Sequence, residues 1–143
     1  MLAAGLQPRD LLCLRGDLGA GKTTFIQGLA QGLGVRDLVT SPSFTLIHQH
    51  AGRIPLYHID LYRVGAAEIP DIGLHEVLDC DAVVAIEWAD HLPAALCPDA
   101  LDIEIAFDDA DENTRLIRVR ARGRRSSQII SLLADNSDAR TRS

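Results

Sequence analysis

Hydrophobic and polar positions change period several times along this chain, and each change marks an element. Residues 11–14 (Leu-Leu-Cys-Leu) form an uninterrupted apolar run, as in a strand buried on both faces. After a glycine-rich stretch, Phe25, Ile26, Leu29, Ala30 and Leu33 recur at helical spacing, and Gly34 stands where a helix stops. Residues 44–50 and 54–59 read as two strands joined by a turn at Ala51-Gly52, hence a hairpin. The pattern over 69–78, with Pro70 near its start, predicts a short helix. Residues 82–86 (Ala-Val-Val-Ala-Ile) are apolar throughout and end in Glu87-Trp88, the pattern of a central parallel strand. Strict alternation follows. Leu101, Ile103, Ile105 and Phe107 point one way, and Asp102 and Glu104 the other; Ile117, Val119 and Ala121 alternate with Arg118, Arg120 and Arg122. A polar loop is expected over 108–114, a short helix over 126–133 and a frayed tail over 134–143. Residues 1–6 read as the last turn of a helix. The sum is a single-domain α/β fold in three layers. Its mixed sheet is parallel in the centre, with antiparallel hairpins at either side. Residues 1–125 form the domain, and 126–143 a short helix with a flexible tail.

The stretch between the first strand and the first helix carries the chemistry. Gly16-Asp17-Leu18-Gly19-Ala20-Gly21-Lys22-Thr23 fits G-x-x-x-x-G-K-[ST], the phosphate-binding loop of nucleoside triphosphatases, in the strand–turn–helix context that the motif requires. Glycines let backbone N–H groups turn inward around phosphate oxygens, and the helix N-terminus adds partial positive charge. Asp17, Leu18, Gly19, Ala20, Gly21, Lys22, Thr23 and Thr24 are the expected nucleotide contacts. Lys22 would reach the β- and γ-phosphates, and the Thr23 hydroxyl would bind Mg²⁺. Of the 14 basic residues, Lys22 is the only lysine. A compact, flexible ammonium stands where phosphate is expected, and arginine everywhere else.

Composition narrows the function. A net charge of −6 argues against unassisted binding to nucleic acid or an anionic membrane. Aromatic residues make up 4%, so the core must be aliphatic. Cys13, Cys80 and Cys97 are odd in number and widely spaced, which fits buried or free thiols in a reducing cytoplasm and not a disulfide or zinc framework. No spanning segment or signal peptide is visible, so a cytoplasmic protein is expected. Six arginines lie between Arg115 and Arg125. Pairing Ile105 with Ile117 would set Glu104 opposite Arg118 and Asp102 opposite Arg120, which predicts a charge-paired sheet face in preference to an RNA-binding stripe. Arg124 and Arg125 fall beyond that pairing. His48, His50 and His58 lack a partner Cys or acid at ligand spacing, and are read as satisfied or solvent-facing histidines.

Among triphosphatases, a GTPase would need an N-K-x-D element, which a chain with one lysine cannot have. A small-molecule kinase would normally carry an arginine-bearing lid, and only Arg53 and Arg63 are available between residues 37 and 100. Three further constellations remain. Ser41-Pro42-Ser43-Phe44 follows the first helix, where switch segments sit. His58-Ile59-Asp60-Leu61-Tyr62-Arg63 ends a strand with a carboxylate. Glu87 ends the buried strand, where a Walker-B acid holds Mg²⁺ or its water. Asp60 is equally readable as the cap of the turn after its strand.

Together with Gly16–Thr24, these motifs closely resemble the bacterial TsaE (YjeE) family: G-D-L-G-A-G-K-T-T, then S-P-[ST]-[FY], H-x-D-x-Y-R and E-W, all in order. The resemblance implies an ATPase that works with TsaB and TsaD in forming N6-threonylcarbamoyladenosine at adenosine 37 of tRNAs reading codons that start with A. The transferase chemistry belongs to TsaD, and tRNA is reached through the complex. Carried over, Lys22 holds phosphates, and Thr23 and Glu87 hold Mg²⁺. Asp60 is an active-site acid that orients water or metal. Ser43 and Phe44 belong to a switch-like loop, and Trp88 packs beside the site. Arg124, outside the matched motifs and left over by the sheet pairing, is a further candidate for ATP. Ser43 replaces the commoner threonine and keeps the hydroxyl. The family usually carries a strand–helix segment ahead of the point where this chain starts, enclosing the adenine. A nucleotide-gated assembly module and a small P-loop phosphotransferase are the alternatives from other classes.

Overall fold

A computed structural model of the chain describes residues 2–17, 19–36, 47–62, 73–92 and 97–142. In chain order the elements are α1 (Leu2–Gly5), β1 (Leu11–Arg15), α2 (Lys22–Gly32), β2 (Ile47–His50), β3 (Leu56–Asp60), α3 (Leu74–Leu78), β4 (Val83–Glu87), β5 (Ala100–Asp108), β6 (Asp111–Ala121) and α4 (Arg124–Arg142), with a 3₁₀ turn at Ala89–His91. The six strands form one sheet in the order β2-β3-β4-β1-β5-β6. The centre β3-β4-β1-β5 is parallel, and β2 and β6 close the edges antiparallel. The expected α/β class and mixed sheet are therefore what the chain adopts.

The apolar runs behave as their patterns require. β4 is buried at all five positions, and the first four residues of β1 are buried. Alternate side chains serve opposite layers. Leu12, Leu14, Val83 and Ala85 join Ile26, Leu29, Leu101, Ile103 and Ile129 beneath α1, α2 and α4. Leu11, Cys13, Val84 and Ile86 join Ile59, Leu61, Leu74 and Cys97 on the other face. Cys13, Cys80 and Cys97 are all free thiols. The Cys13 thiol is pushed up by its hydrogen bond with Cys97 and by burial, so it behaves as a small apolar core group.

Three local features depart from the alternation pattern. The polar loop expected over 108–114 shrinks to the turn between β5 and β6. Asp108 accepts the Ala110 N–H at 3.0 Å, which closes a tight Asx turn and lets Asp111–Thr114 enter the strand. The helix expected over 126–133 runs to Arg142, because nothing after Gly123 is a glycine or proline that would break it. The charge ladder has the expected register, with Glu104 opposite Arg118 and Asp102 opposite Arg120, but not the expected pairs. Arg122 grips Asp102 with two bonds of 2.7 Å and occupies both carboxylate oxygens. Arg118 and Arg120 stay solvated and make no ion pair among the described residues. On the α2 face, Ile117 and Val119 stay exposed, and with Phe25, Leu29, Leu101 and Leu133 they line an apolar groove of about 650 Å³.

Arg125 is accounted for by the other end of the sheet. It holds the buried Asp10 with two 2.9 Å bonds and donates to the Gly5 carbonyl at 2.7 Å, tying α4 to α1 and the start of β1. Asp99 caps α4 from outside the helix. Its oxygens accept the Arg125 N–H at 2.8 Å, the Ser126 N–H at 3.0 Å and the Ser126 hydroxyl at 2.7 Å. Burial opposes ionisation of Asp99, but the Ser126 and Arg125 bonds outweigh it and hold the carboxyl below its ordinary range. Asp99→Ala is expected to cost about 1–2 kcal/mol, the scale of a lost N-cap. Because the folded value is depressed, this contribution is complete above the ordinary aspartate value of about 4 and disappears as pH falls through the folded value. Urea melts of both proteins at neutral and acidic pH check the sign: the gap between them should close on acidification.

Candidate functional site

The site is built where β1 ends and α2 begins. After Arg15 the chain passes Gly16, where a Cβ would lie 2.4 Å from the Ile105 carbonyl oxygen of β5. Only glycine allows that approach. Gly19 (φ 81°) and Gly21 (φ 111°) take left-handed conformations, and the Ala20 N–H bonds the Asp17 carbonyl at 3.0 Å. The loop thus delivers the chain to Lys22, the first residue of α2, with no side chain capping the helix N-terminus. The first-turn N–H groups and the helix dipole face the loop. Leu18 lies outside the described residues, as do Ser43, Phe44 and Arg63.

Lys22 is 4% exposed. Its ammonium donates to the Gly16 carbonyl at 2.6 Å and the Asp17 carbonyl at 3.0 Å, and stands 4.1 Å above the Trp88 ring. Burial lowers the lysine from its ordinary value, while Glu87, Asp60, Asp17 and Asp90 push back. Trp88 follows β4 in a left-handed conformation (φ 58°), which is costly for a bulky residue and typical of functional sites. That conformation lays the indole under Lys22 and 4.9 Å from the Tyr62 ring.

Glu87 closes β4 and is 3% exposed. The Thr23 hydroxyl lies 3.2 and 3.4 Å from its two carboxylate oxygens. Asp60, the last residue of β3, pairs with Glu87 across the sheet and so faces the same side. Its Oδ1 also accepts the Tyr62 N–H at 2.9 Å, the turn-capping role open to it from the sequence. Arg15 pairs with Asp90 just beyond. Lys22, Thr23, Asp60, Glu87 and Trp88 are thereby gathered at the C-terminal end of the parallel strands. A backbone cradle, one ammonium, one hydroxyl and two carboxylates meet there. This set can bind an oxyanion together with a hard cation.

Two residues at the site escape the sequence pattern. His58 is wholly buried, and its Nε2 lies 2.5 Å from Glu87 Oε2. Its two-residue spacing from Asp60 was the available signal. Arg115, opposite Phe107 on the β5–β6 hairpin, reaches the loop itself: Nε donates to the Ala20 carbonyl at 3.2 Å, and the guanidinium lies 4.2 Å over the Phe107 ring. Arg124 is not brought to the site. It opens α4 beside the start of β5, where Arg122 N bonds the Ala100 carbonyl, at the end of the sheet away from the loop. Among the described residues no group of three or more His, Cys, Asp and Glu side chains is placed to hold a metal ion. No described helix is long and apolar enough to cross a membrane.

Comparison with known proteins identifies the family and the fold. The family model described as "Threonylcarbamoyl adenosine biosynthesis protein TsaE" matches residues 1–117, which include every element from α1 to β5 and the Arg115 end of β6. The "tRNA threonylcarbamoyladenosine biosynthesis protein TsaE" of Bacillus subtilis is 45% identical over 117 residues, covering 80% of this chain and 73% of the relative. The protein of that name from Streptomyces coelicolor is 39% identical over 141 residues, covering 93% and 95%. The crystal structure of Bacillus subtilis YdiB superposes with a TM-score of 0.81 at 36% identity, covering 95% of this chain and 84% of that one. The family match spans residues 1–117, and the chain belongs to the TsaE family of tRNA threonylcarbamoyladenosine biosynthesis proteins.

Proposed function

We propose that the chain is a Mg²⁺-dependent ATPase that serves N6-threonylcarbamoyladenosine formation by acting on a TsaB–TsaD-type complex in the cytoplasm, and is not itself the transferase. The observation that carries this reading is the placement of Thr23 within 3.2 Å of Glu87, directly after a lysine held by the loop's own carbonyls. A hydroxyl and a buried carboxylate facing each other are the hard oxygen donors that suit Mg²⁺, which takes few protein ligands and completes its shell with phosphate and water. When bound there, Mg²⁺ supplies charge neutralisation at the β- and γ-phosphate oxygens.

The chain's own groups do the rest. The loop N–H groups and the α2 N-terminus hold the phosphates in place. Lys22 spreads its charge over their outer oxygens, and Trp88 fixes the direction of its stem. Arg115 adds a second cation at the loop. Asp60 lies beside Glu87 on the same face, which supports a role in orienting the attacking water. Ser41–Thr45 is the proposed γ-phosphate sensor, with Ser43 supplying the hydroxyl. Nothing in this set is dedicated to a phosphate acceptor, so hydrolysis is spent on a conformational change in a partner.

Steady-state hydrolysis, measured with and without a TsaB–TsaD complex, tests the reading. Weak turnover by the chain alone, raised by the complex, is the expected result. Since coupling is reciprocal, the complex must also bind differently in ATP and ADP. If the complex changes neither turnover nor nucleotide affinity, the proposal fails. Transfer of labelled phosphate to an acceptor would favour a phosphotransferase instead.

A further inference from the structure

His58 sits mid-strand in β3, flanked by β2 and β4, with no exposed surface. Its neighbour across β4 is Ala85, whose small side chain leaves the diagonal open toward Glu87, two residues on. The imidazole takes that diagonal and places Nε2 2.5 Å from Glu87 Oε2. Its other nitrogen, Nδ1, has no hydrogen-bond partner among the described residues. These two facts fix the tautomer. A protonated Nδ1 would be a buried N–H with nothing to bond, whereas a proton on Nε2 points straight at a carboxylate oxygen. Nε2 is therefore the nitrogen that donates, to Glu87 Oε2.

That bond has a consequence for the carboxylate. The last torsion of a glutamate is broad and roughly two-fold, so packing alone does not decide which way its oxygens face. Here Oε2 is tied to His58, and the carboxylate is turned so that both oxygens lie near the Thr23 hydroxyl, Oε1 at 3.2 Å and Oε2 at 3.4 Å. We propose that His58 is a positioning residue. By donating Nε2–H to Glu87 Oε2 it fixes the turn of the carboxylate against Thr23, and so sets the geometry with which the chain receives the metal of a metal–nucleotide substrate. The inference rests on the reading of Thr23 and Glu87 as the Mg²⁺ donors.

Calorimetry with a non-hydrolysable ATP analogue, with and without Mg²⁺, tests both layers. The quantity read is the gain in affinity that Mg²⁺ confers. In His58→Leu the gain should fall about 10–100-fold, the usual scale for removing the partner of a metal-binding side chain. Affinity without Mg²⁺ should stay within about twofold, because the loop and Lys22 are untouched. His58→Gln keeps an N–H donor on a side chain of similar reach and should restore most of the gain. A purely structural role would lower both affinities together and track the melting temperature. If His58→Leu melts like the wild type and keeps the whole gain, or if both variants lose it equally, the inference is overturned. Should the leucine variant not fold, the glutamine variant decides alone: a wild-type gain supports the inference, and a tenfold loss with native melting overturns it. Absence of any Mg²⁺-dependent gain in the wild type overturns the reading of Thr23 and Glu87, and this inference with it.

Discussion

Lys22→Ala is expected to weaken nucleotide binding by about a hundredfold, since a hydrogen bond from a charged group contributes up to ~3 kcal/mol. Two effects act together. The ammonium is the only lysine charge in the chain, and the loop amides alone cannot neutralise a triphosphate. The same nitrogen also ties the Gly16 and Asp17 carbonyls at 2.6 and 3.0 Å, so its removal loosens the cradle as well as discharging it. Arginine is a poor replacement. Its planar fork is larger than the ammonium, and the space is bounded by the Trp88 ring at 4.1 Å from Nζ. Burial disfavours the lysine charge, which offsets the two hydrogen bonds lost, so the alanine variant should melt close to the wild type. Retained melting with weakened binding is the signature to look for. An unchanged affinity would remove the loop from the nucleotide site altogether.

The parts of the site that the sequence exposes are those whose chemistry is local. Gly16 to Thr23 is a contiguous loop whose spacing already contains the geometry, and Glu87 ends a run so apolar that its charge needs a reason. The central strands were legible for a related cause: burial on both faces leaves an unbroken aliphatic pattern in Leu11–Leu14 and Val83–Ile86. What was not legible depends on which strands lie side by side. His58 reads as one more histidine until β3 is set against β4 in the register that brings it diagonally to Glu87. Arg115 and Arg124 belong to one cluster in the sequence, but β6 runs antiparallel to β5 and carries them to opposite ends of the sheet. The arginine ladder failed on a similar point. Register alone assigns Arg120 to Asp102, but Arg122 on the same face can fork onto both carboxylate oxygens. Ser43 and Phe44 lie outside the described residues, and their role is carried by motif alone.

Glu87→Gln is expected to keep the fold and Mg²⁺-free nucleotide binding, but to cut hydrolysis at least tenfold, the scale of losing one positioned metal or acid–base contact. The structure explains why packing survives. Glutamine has the same shape, its amide oxygen can accept from His58 Nε2 as Oε2 does now, and its amide N–H can turn to the Thr23 hydroxyl. What changes is what faces Thr23: an anionic oxygen that can share a cation becomes a donor that repels one. The lysine, the loop and Trp88 are untouched, so affinity measured without Mg²⁺ should match the wild type. Turnover and the Mg²⁺ dependence of binding should fall together. Asp60 provides the control. It faces the same side two residues after His58, but one of its oxygens is committed to the Tyr62 N–H. If Glu87→Gln hydrolyses at the wild-type rate while Asp60→Asn does not, Glu87 is a structural acid, and the water-orienting and metal-holding roles pass to Asp60. If both variants lose turnover but only Glu87→Gln loses the Mg²⁺ dependence of binding, the two carboxylates divide the work: Glu87 holds the metal and Asp60 orients the water.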